Sequence, residues 1–277
     1  MIDYELEEST YHSLPSLSAT GAKLLAQAGG PARFKYEVLD GNRQHKKAFD
    51  VGSAIHAKVL GTGWSIAELE FDSYRTKAAQ EAKAEAYAAG MIPMLTKELA
   101  PINEAAEAVL ANDTARAALE QPGNAEASVF AHDPEYDIDI RCRFDFLPSH
   151  MEYGVDLKKV GKLASPSGFA NQVAEFGYDI QEAHYGRTLA LSEGFTPVRM
   201  LFIAVEDKAP YLVGTYKLPP AFSEAGGKAA ARAYTRFAHG MKTGNWPGYP
   251  QGVTELVQPV WHQYKSIDEE NEALNGY

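Results

Sequence analysis

Residues 141 to 185 read RCRFDFLPSHMEYGVDLKKVGKLASPSGFANQVAEFGYDIQEAHY, and the reading of this stretch decides the fold. Tyr153-Gly154-Val155-Asp156-Leu157-Lys158 is a short apolar run interrupted by two charges. In an extended chain, residues two apart point to the same side. Asp156 and Lys158 therefore share one face of a strand, a polar site outside the core, while Val155 and Leu157 face the core. Asp145 closes an alternating segment just before it, and Gln181 and Tyr185 stand one helical turn apart on the segment that follows. Two neighbouring strands should thus present two carboxylates and an ammonium beside a helix that carries an amide and a phenol.

Working outward, Ala125 to Phe130 and Tyr136 to Phe146 alternate like two strands joined by the turn His132-Asp133-Pro134. Downstream, Ser165 should start a helix that breaks at Gly177, with a second helix over Asp179 to Ser192. Val198 to Val205 reads as a buried strand and Tyr211 to Lys217 as its partner. Ala221 to Lys242 then reads as a helix ahead of a loop-rich tail.

Upstream of Pro122-Gly123-Asn124 the period is helical. Residues 1 to 15 are acidic and Pro-punctuated, which predicts an irregular arm. Ser18 should cap a helix over Ala19 to Gln27, and Pro31 should open another through Val38. After a polar loop at 41–47, Val51, Ile55 and Val59 form a helical stripe, with His56 one position off it. On that evidence alone His56 reads as a structural residue. Residues 73 to 120 predict helices broken near Gly90 to Pro93 and again at Pro101, and Arg75 and Lys77, which open this stretch, are candidate DNA contacts. The fold class is α/β, a mixed sheet flanked by helices, as one domain over 1–277. Its parts are the arm (1–15), a mainly helical part (16–121) and the sheet-bearing core (125–277).

The net charge of −11 argues against a protein that coats nucleic acid, though not against a local basic groove. One cysteine, Cys142, excludes an internal disulfide or a cysteine-based zinc site and reads as a small buried hydrophobe. No apolar run is long enough to cross a membrane and the N-terminus is unlike a signal peptide, so the expected location is the cytoplasm.

Asp145 and Asp156, eleven positions apart, come from neighbouring strands. Converging carboxylates repel unless a cation separates them, and hard oxygen ligands select Mg²⁺ or Mn²⁺. Such an ion acidifies water and polarises a phosphoryl oxygen, and Lys158 is suited to offset charge in the transition state. Together these parts predict a phosphodiester hydrolase. A lone D-x-K arises often by chance, and Gln181 with Tyr185 could be a helix-surface pair. The combination of order, spacing and context is what favours a site. A carboxylate-pair glycosidase would leave Lys158 and the Gln181–Tyr185 pair unexplained.

The pattern D-(x10)-D-L-K followed by Q-x-x-x-Y resembles the PD-(D/E)XK nuclease superfamily, in its RecB-like branch. The segments SLSATGAKLL, AFDVGSAIHAKVL, SYRTKAAQEA, RCRFD, GVDLKK, YDIQEAHY and GNWPGY extend the resemblance to the RecE (exodeoxyribonuclease VIII) nuclease-domain family over nearly the whole chain. The resemblance implies a restriction-endonuclease-like core with an N-terminal helical region. It implies a Mg²⁺-dependent exonuclease that digests linear double-stranded DNA from 5′ to 3′ and leaves 3′ tails for annealing-type recombination. It assigns His56, Asp145, Asp156 and the main-chain carbonyl of Leu157 to the metal, with two ions during catalysis and Mn²⁺ as a substitute. Lys158, Gln181 and Tyr185 become the catalytic group, and Glu126 a possible accessory acid. The implied partners are double-stranded DNA ends, a RecT-like single-strand annealing protein, and further copies of the chain in a ring, tetramer or trimer. Lys159 and Val160 stand where relatives more often carry threonine or another small polar residue, a departure that bears on the neighbouring DNA contacts, and Lys159 is itself a further candidate DNA contact. The competing expectations are a RecB-like nuclease acting on single strands, flaps or internal sites, and a non-catalytic DNA-binding descendant. The latter should have lost a ligand or the lysine, and this chain retains them all.

Overall fold

The computed structural model describes residues 1–42, 47–63, 65–194 and 198–265, and side chains from 50 onward in the second of these ranges. Most of the polar loop expected at 41–47 lies outside them. The sheet is built on the hairpin of β5 (Gly123–Asp133) and β6 (Ile138–Pro148), followed by β7 (Tyr153–Val160). Asp133 accepts from the Glu135 amide at 3.1 Å and Asp137 takes a positive φ. The turn therefore falls a few residues later than the sequence suggests, β5 is longer at both ends, and β6 keeps its expected length but starts two residues later. After β7, helices α8 (Pro166–Phe176) and α9 (Tyr178–Glu193) cross over to β8 (Arg199–Glu206), which accordingly lies parallel to β7. Antiparallel β9 (Val213–Tyr216) and α10 (Pro220–Thr243) complete this half. Ser165 caps α8 by accepting from the Gly168 amide, and Gly177, at φ 64°, ends it.

The N-terminal half begins with β1 (Ile2–Asp3), α1 (Glu8–Ser13), β2 (Leu17–Ser18), α2 (Ala19–Ala26) and α3 (Gly30–Phe34), which runs on as a π-turn to Leu39. Next come α4 (Lys47–Leu60), β3 (Ile66–Leu69), α5 (Lys77–Ala88), β4 (Ile92–Leu95), α6 (Thr96–Ala111) and α7 (Asp113–Glu120). The seven-stranded sheet has the order β1-β5-β6-β7-β8-β9, with β2 parallel beside β6. Among the described residues, no helix is long and apolar enough to cross a membrane.

Both sheet faces are covered. Phe144, Phe169, Leu189 and Phe202 pack on the α8–α9 side, and Ile55, Ile102, Val155, Leu157 and Ile203 on the α4–α6 side. A third cluster joins α2, α3 and α10 through Leu25, Phe34, Tyr234 and Phe237. Cys142 is fully buried, as expected.

Three expectations are corrected. The first fifteen residues are not an irregular arm. β1 pairs with β5, Tyr11 is buried against the Arg141 and Arg143 guanidiniums, and those arginines donate to the Leu14 and Leu6 carbonyls at 2.8 and 2.7 Å. The break at Gly90 to Pro93 contains β4, which pairs in parallel with β3. Finally, α6 runs through Pro101. The proline removes one helical hydrogen bond, but Glu98 fixes the first turn by accepting from the Leu95 amide at 3.1 Å, and Ile102, Ala105 and Val109 bury the helix.

Candidate active site

The site forms where the strands stop pairing. The bridge described between β6 and β7 is Phe146↔Val155, so the next register position sets Asp145 opposite Asp156. No ladder bond forms there; Asp145 Oδ2 instead accepts from the Leu157 amide at 2.6 Å. Phe144 and Phe146 would share a face in a regular strand, yet they pack in different cores, so β6 turns at Asp145. On its other side, Ala125↔Phe146 and Ala127↔Phe144 place Glu126 opposite Asp145, with φ at 53°. A non-glycine residue with that backbone is uncommon, and such strain concentrates at functional positions. The irregularity thus lines up Glu126, Asp145 and Asp156 across three strands.

Asp156 is only 1% exposed. The expectation that it occupies a polar site outside the core is therefore corrected, because the face it shares with Lys158 is roofed by α8 and α9. Its Oδ1 accepts from Gln181 Nε2 at 2.6 Å. Lys158 Nζ stands 2.6 Å from Oδ2, a charge contact without hydrogen-bond angles, so that oxygen is buried with no hydrogen bond. Lys158 Nζ also lies 4.9 Å over the Tyr178 ring. His56 on α4 reaches from the opposite side of the sheet. Its Nε2 is 2.7 Å from the Leu157 carbonyl and its Nδ1 3.6 Å from Asp145 Oδ2. A carbonyl can only accept, so Nε2 carries the proton in that contact. Tyr185 packs edge-to-face on Phe144 at 4.9 Å. A cleft of about 240 Å³ is lined by Glu8 and His12 of α1 together with His56, Glu126, Asp145 and Tyr185.

Burial raises the Asp145 carboxyl pKa and the Asp156 charge raises it further, against the opposing pull of His56, Lys158 and the Leu157 amide. Glu126 is pushed up to about 8 by burial and then by Asp145. Burial pulls the Lys158 ammonium down, but Asp156 and Asp145 outweigh it and hold the group above its ordinary value. Asp145 and Glu126 are therefore pushed toward their protonated forms, and a nearby cation would favour their charged forms.

Gln181 and Tyr185 are kept in place by the rest of α9. Buried Glu182 accepts from Arg199 Nε, the Met200 amide and Ser223 Oγ at 3.0, 3.0 and 2.7 Å. His184 donates from Nε2 to the Arg141 carbonyl at 2.9 Å and accepts at Nδ1 from Tyr234 Oη at 3.0 Å. Burial pushes its pKa down to about 4. Arg187 grips Asp133 through two nitrogens, one at 2.7 Å, and Glu135 at 2.7 Å.

The structure gathers His56, Glu126, Asp145, Asp156, Leu157, Lys158, Gln181 and Tyr185, and leaves three predicted residues apart. Lys159 points to the opposite face of β7 and pairs with Asp207 at 3.0 Å, as strand alternation requires. Arg75 and Lys77 are exposed near the start of α5, where Lys77 pairs with Glu81 at 3.6 Å, and neither lines the cleft. Tyr178 was missed. It stands three residues before Gln181, hence on the same helical face, and that spacing was the available signal.

A family model described as a PDDEXK-like domain of unknown function (DUF3799) matches residues 18–258. The chain belongs to this PDDEXK-like family. A solved protein from Eubacterium rectale, named as a candidate exonuclease, is similar with a TM-score of 0.60 and 14% identity over 94% of this chain and 98% of that one. This likeness shows a shared fold. A phage-related exonuclease from Haemophilus somnus 129PT gives a TM-score of 0.33 and 10% identity over 83% of this chain and 99% of that one. No curated protein matches.

PD-(D/E)XK nucleases use divalent cations, and the residues here fit one in their chemistry. Two facing acids, a main-chain carbonyl and an imidazole are available, and the buried Asp156 Oδ2 lacks a hydrogen bond. Among the described residues no three His, Cys, Asp or Glu side chains already converge as a metal cluster. His56 Nε2 and the Leu157 carbonyl are bonded to each other, and Lys158 stands against Asp156.

Proposed function

We propose that the chain is a divalent-metal-dependent deoxyribonuclease that digests linear double-stranded DNA from its ends, from 5′ to 3′, leaving 3′ single-stranded tails. The observation that carries this reading is the bend shared by β5 and β6 beside β7, where Asp145 and Asp156 face each other and one Asp156 oxygen lacks a hydrogen bond next to Lys158.

Asp145, Asp156, the Leu157 carbonyl and His56 would hold the cation. When bound, Mg²⁺, or Mn²⁺ in its place, supplies the charge that polarises a phosphoryl oxygen and acidifies water. Gln181 fixes the Asp156 carboxylate by donating to Oδ1. Lys158, kept cationic by the two aspartates, is placed to stabilise negative charge developing on the phosphate. Tyr178 backs the Lys158 ammonium with its ring face, and Tyr185 walls the cleft. Two ions during the reaction, one domain over 1–277 and a bacterial cytoplasmic setting belong to the same reading.

End-dependence and polarity rest on the motif segments shared with RecE nuclease domains. So do a ring of three or four copies and a RecT-like annealing partner. A ring would help an acidic chain stay on DNA, since threading replaces part of the electrostatic grip. Arg75 and Lys77 remain available as DNA contacts, whereas the Asp207 pairing gives Lys159 a structural role.

The test uses linear duplex labelled separately at its 5′ and 3′ ends, with Mg²⁺ and with chelator, beside the same duplex closed by hairpins. The expected result is Mg²⁺-dependent release of the 5′ label first, and none from closed duplex. Equal digestion of closed duplex would overturn end-dependence, and no digestion of any DNA would overturn the nuclease reading.

A further inference from the structure

Phe176, the last residue of α8, is 49% exposed. A single exposed ring means little, but this one is the outer member of a chain of ring contacts that runs inward to the candidate site. Its centroid lies 5.9 Å from that of Tyr178 with the planes 32° apart. Tyr178 continues to Phe169 at 6.0 Å and to buried Phe202 at 6.1 Å. Left-handed Gly177 separates the two helices and sets the outer rings side by side, and its missing Cβ leaves room for the Lys23 stem. Lys23 Nζ and Lys158 Nζ both lie against the Tyr178 ring, at 5.5 and 4.9 Å.

Exposed aromatic surface interleaved with ammonium groups suits one ligand chemistry, an unpaired nucleotide. Its base presents a flat face for stacking, and the adjoining phosphates attract the lysines. A base inside a duplex is already stacked on its neighbours and offers only its edges to the grooves. We propose that Phe176, backed by Tyr178, forms a stacking platform for an unpaired nucleobase beside the scissile phosphate, with Lys23 on the adjoining backbone. The identity of the ligand rests on the nuclease reading. The platform requires the strand to leave the duplex before it enters the site.

The test is binding of the full chain, in chelator, to a short single-stranded oligonucleotide carrying 2-aminopurine, and to the same oligonucleotide with an abasic position. Stacking should quench 2-aminopurine on the wild-type chain. Phe176→Ala should weaken binding about tenfold and lose the quenching, and Phe176→Leu, which keeps apolar bulk without a ring face, should behave like it. Phe176→Trp should retain both properties. Wild-type quenching and affinity in Phe176→Leu, or equal affinity for the abasic strand, would overturn the platform. Adding Mg²⁺ to the wild-type mixture reads the nuclease separately. Binding and quenching without cleavage would reject the nuclease and keep the platform, and cleavage indifferent to Phe176 would do the reverse.

Discussion

Asp133 at the end of β5 and Asp156 in β7 are almost equally hidden, at 0% and 1% exposure, yet their surroundings differ. Asp133 is held by two nitrogens of Arg187 and turns its hairpin by accepting from Glu135. Glu182, also buried, has three donors. Asp156 has Gln181 on one oxygen and only the Lys158 ion pair on the other, while Asp145 and Glu126 crowd the adjacent strands. Buried polar groups in native proteins are normally satisfied, and a cluster that is not points to a function. Labour is divided along α9. Its well-paired residues, Glu182, His184 and Arg187, fix the helix so that Gln181 and Tyr185 can face a site whose charge is left for a cation to balance.

Substitutions can break this comparison from either side. The largest effect should come from the under-paired group. Asp156→Asn or Lys158→Ala should lower DNA cleavage by roughly 10²–10³-fold or more, measured as Mg²⁺-dependent release of labelled nucleotides. With Asp145 still beside the Lys158 ammonium, Asp156→Asn should cost less stability than the loss of a fully paired buried carboxylate such as Asp133. Asp133→Ala should do the opposite. Losing the bonds from Arg187 and from the Glu135 amide should cost about 1–3 kcal/mol in a denaturant titration, while cleavage per folded molecule persists.

A pH titration sharpens the same contrast. His184 is neutral in the fold with its pKa pushed down to about 4, whereas in the unfolded chain it titrates near its ordinary value. Between these pH values the unfolded chain binds the extra proton. The contribution is therefore fully present above about pH 6.5 and is lost as pH falls toward 4, on the order of 3 kcal/mol. Stability measured across that window should fall with acid, and a His184→Gln variant should show a flatter profile. The smallest effect should be Gln181→Ala, which removes one hydrogen bond to a charged carboxylate and should lower the cleavage rate about tenfold without a comparable loss of stability.

Much of the site was legible because it obeys local periods. Asp156 and Lys158 alternate on one strand, Gln181 and Tyr185 are a helical turn apart, and Ser18 and Ser165 announce their helices by capping them. The same alternation sends Lys159 to the other face, a signal outweighed by its adjacency to Lys158. Where the sequence failed, the determinant was distant. Two-residue strands such as β1 and β2 have no period of their own, and β4 is four residues with a proline that reads as a helix break. The positive φ of Glu126 follows from the bend in the neighbouring strand, and the partners of Asp133 and Glu182 lie tens of residues away. His56 needed the resemblance to the nuclease families, since its own helix shows only a residue beside an apolar stripe.

A cation held by the crowded carboxylates at the strand bend is central to the proposed function. Thermal melting of the DNA-free chain with and without millimolar Mn²⁺, in wild type, Asp156→Asn and Asp133→Ala, tests it most directly, because an ion that binds the folded state raises its stability. The account predicts a higher melting temperature with Mn²⁺ for wild type and for Asp133→Ala, each from its own baseline, and no increase for Asp156→Asn. An equal increase in Asp156→Asn, or none in wild type, would contradict it.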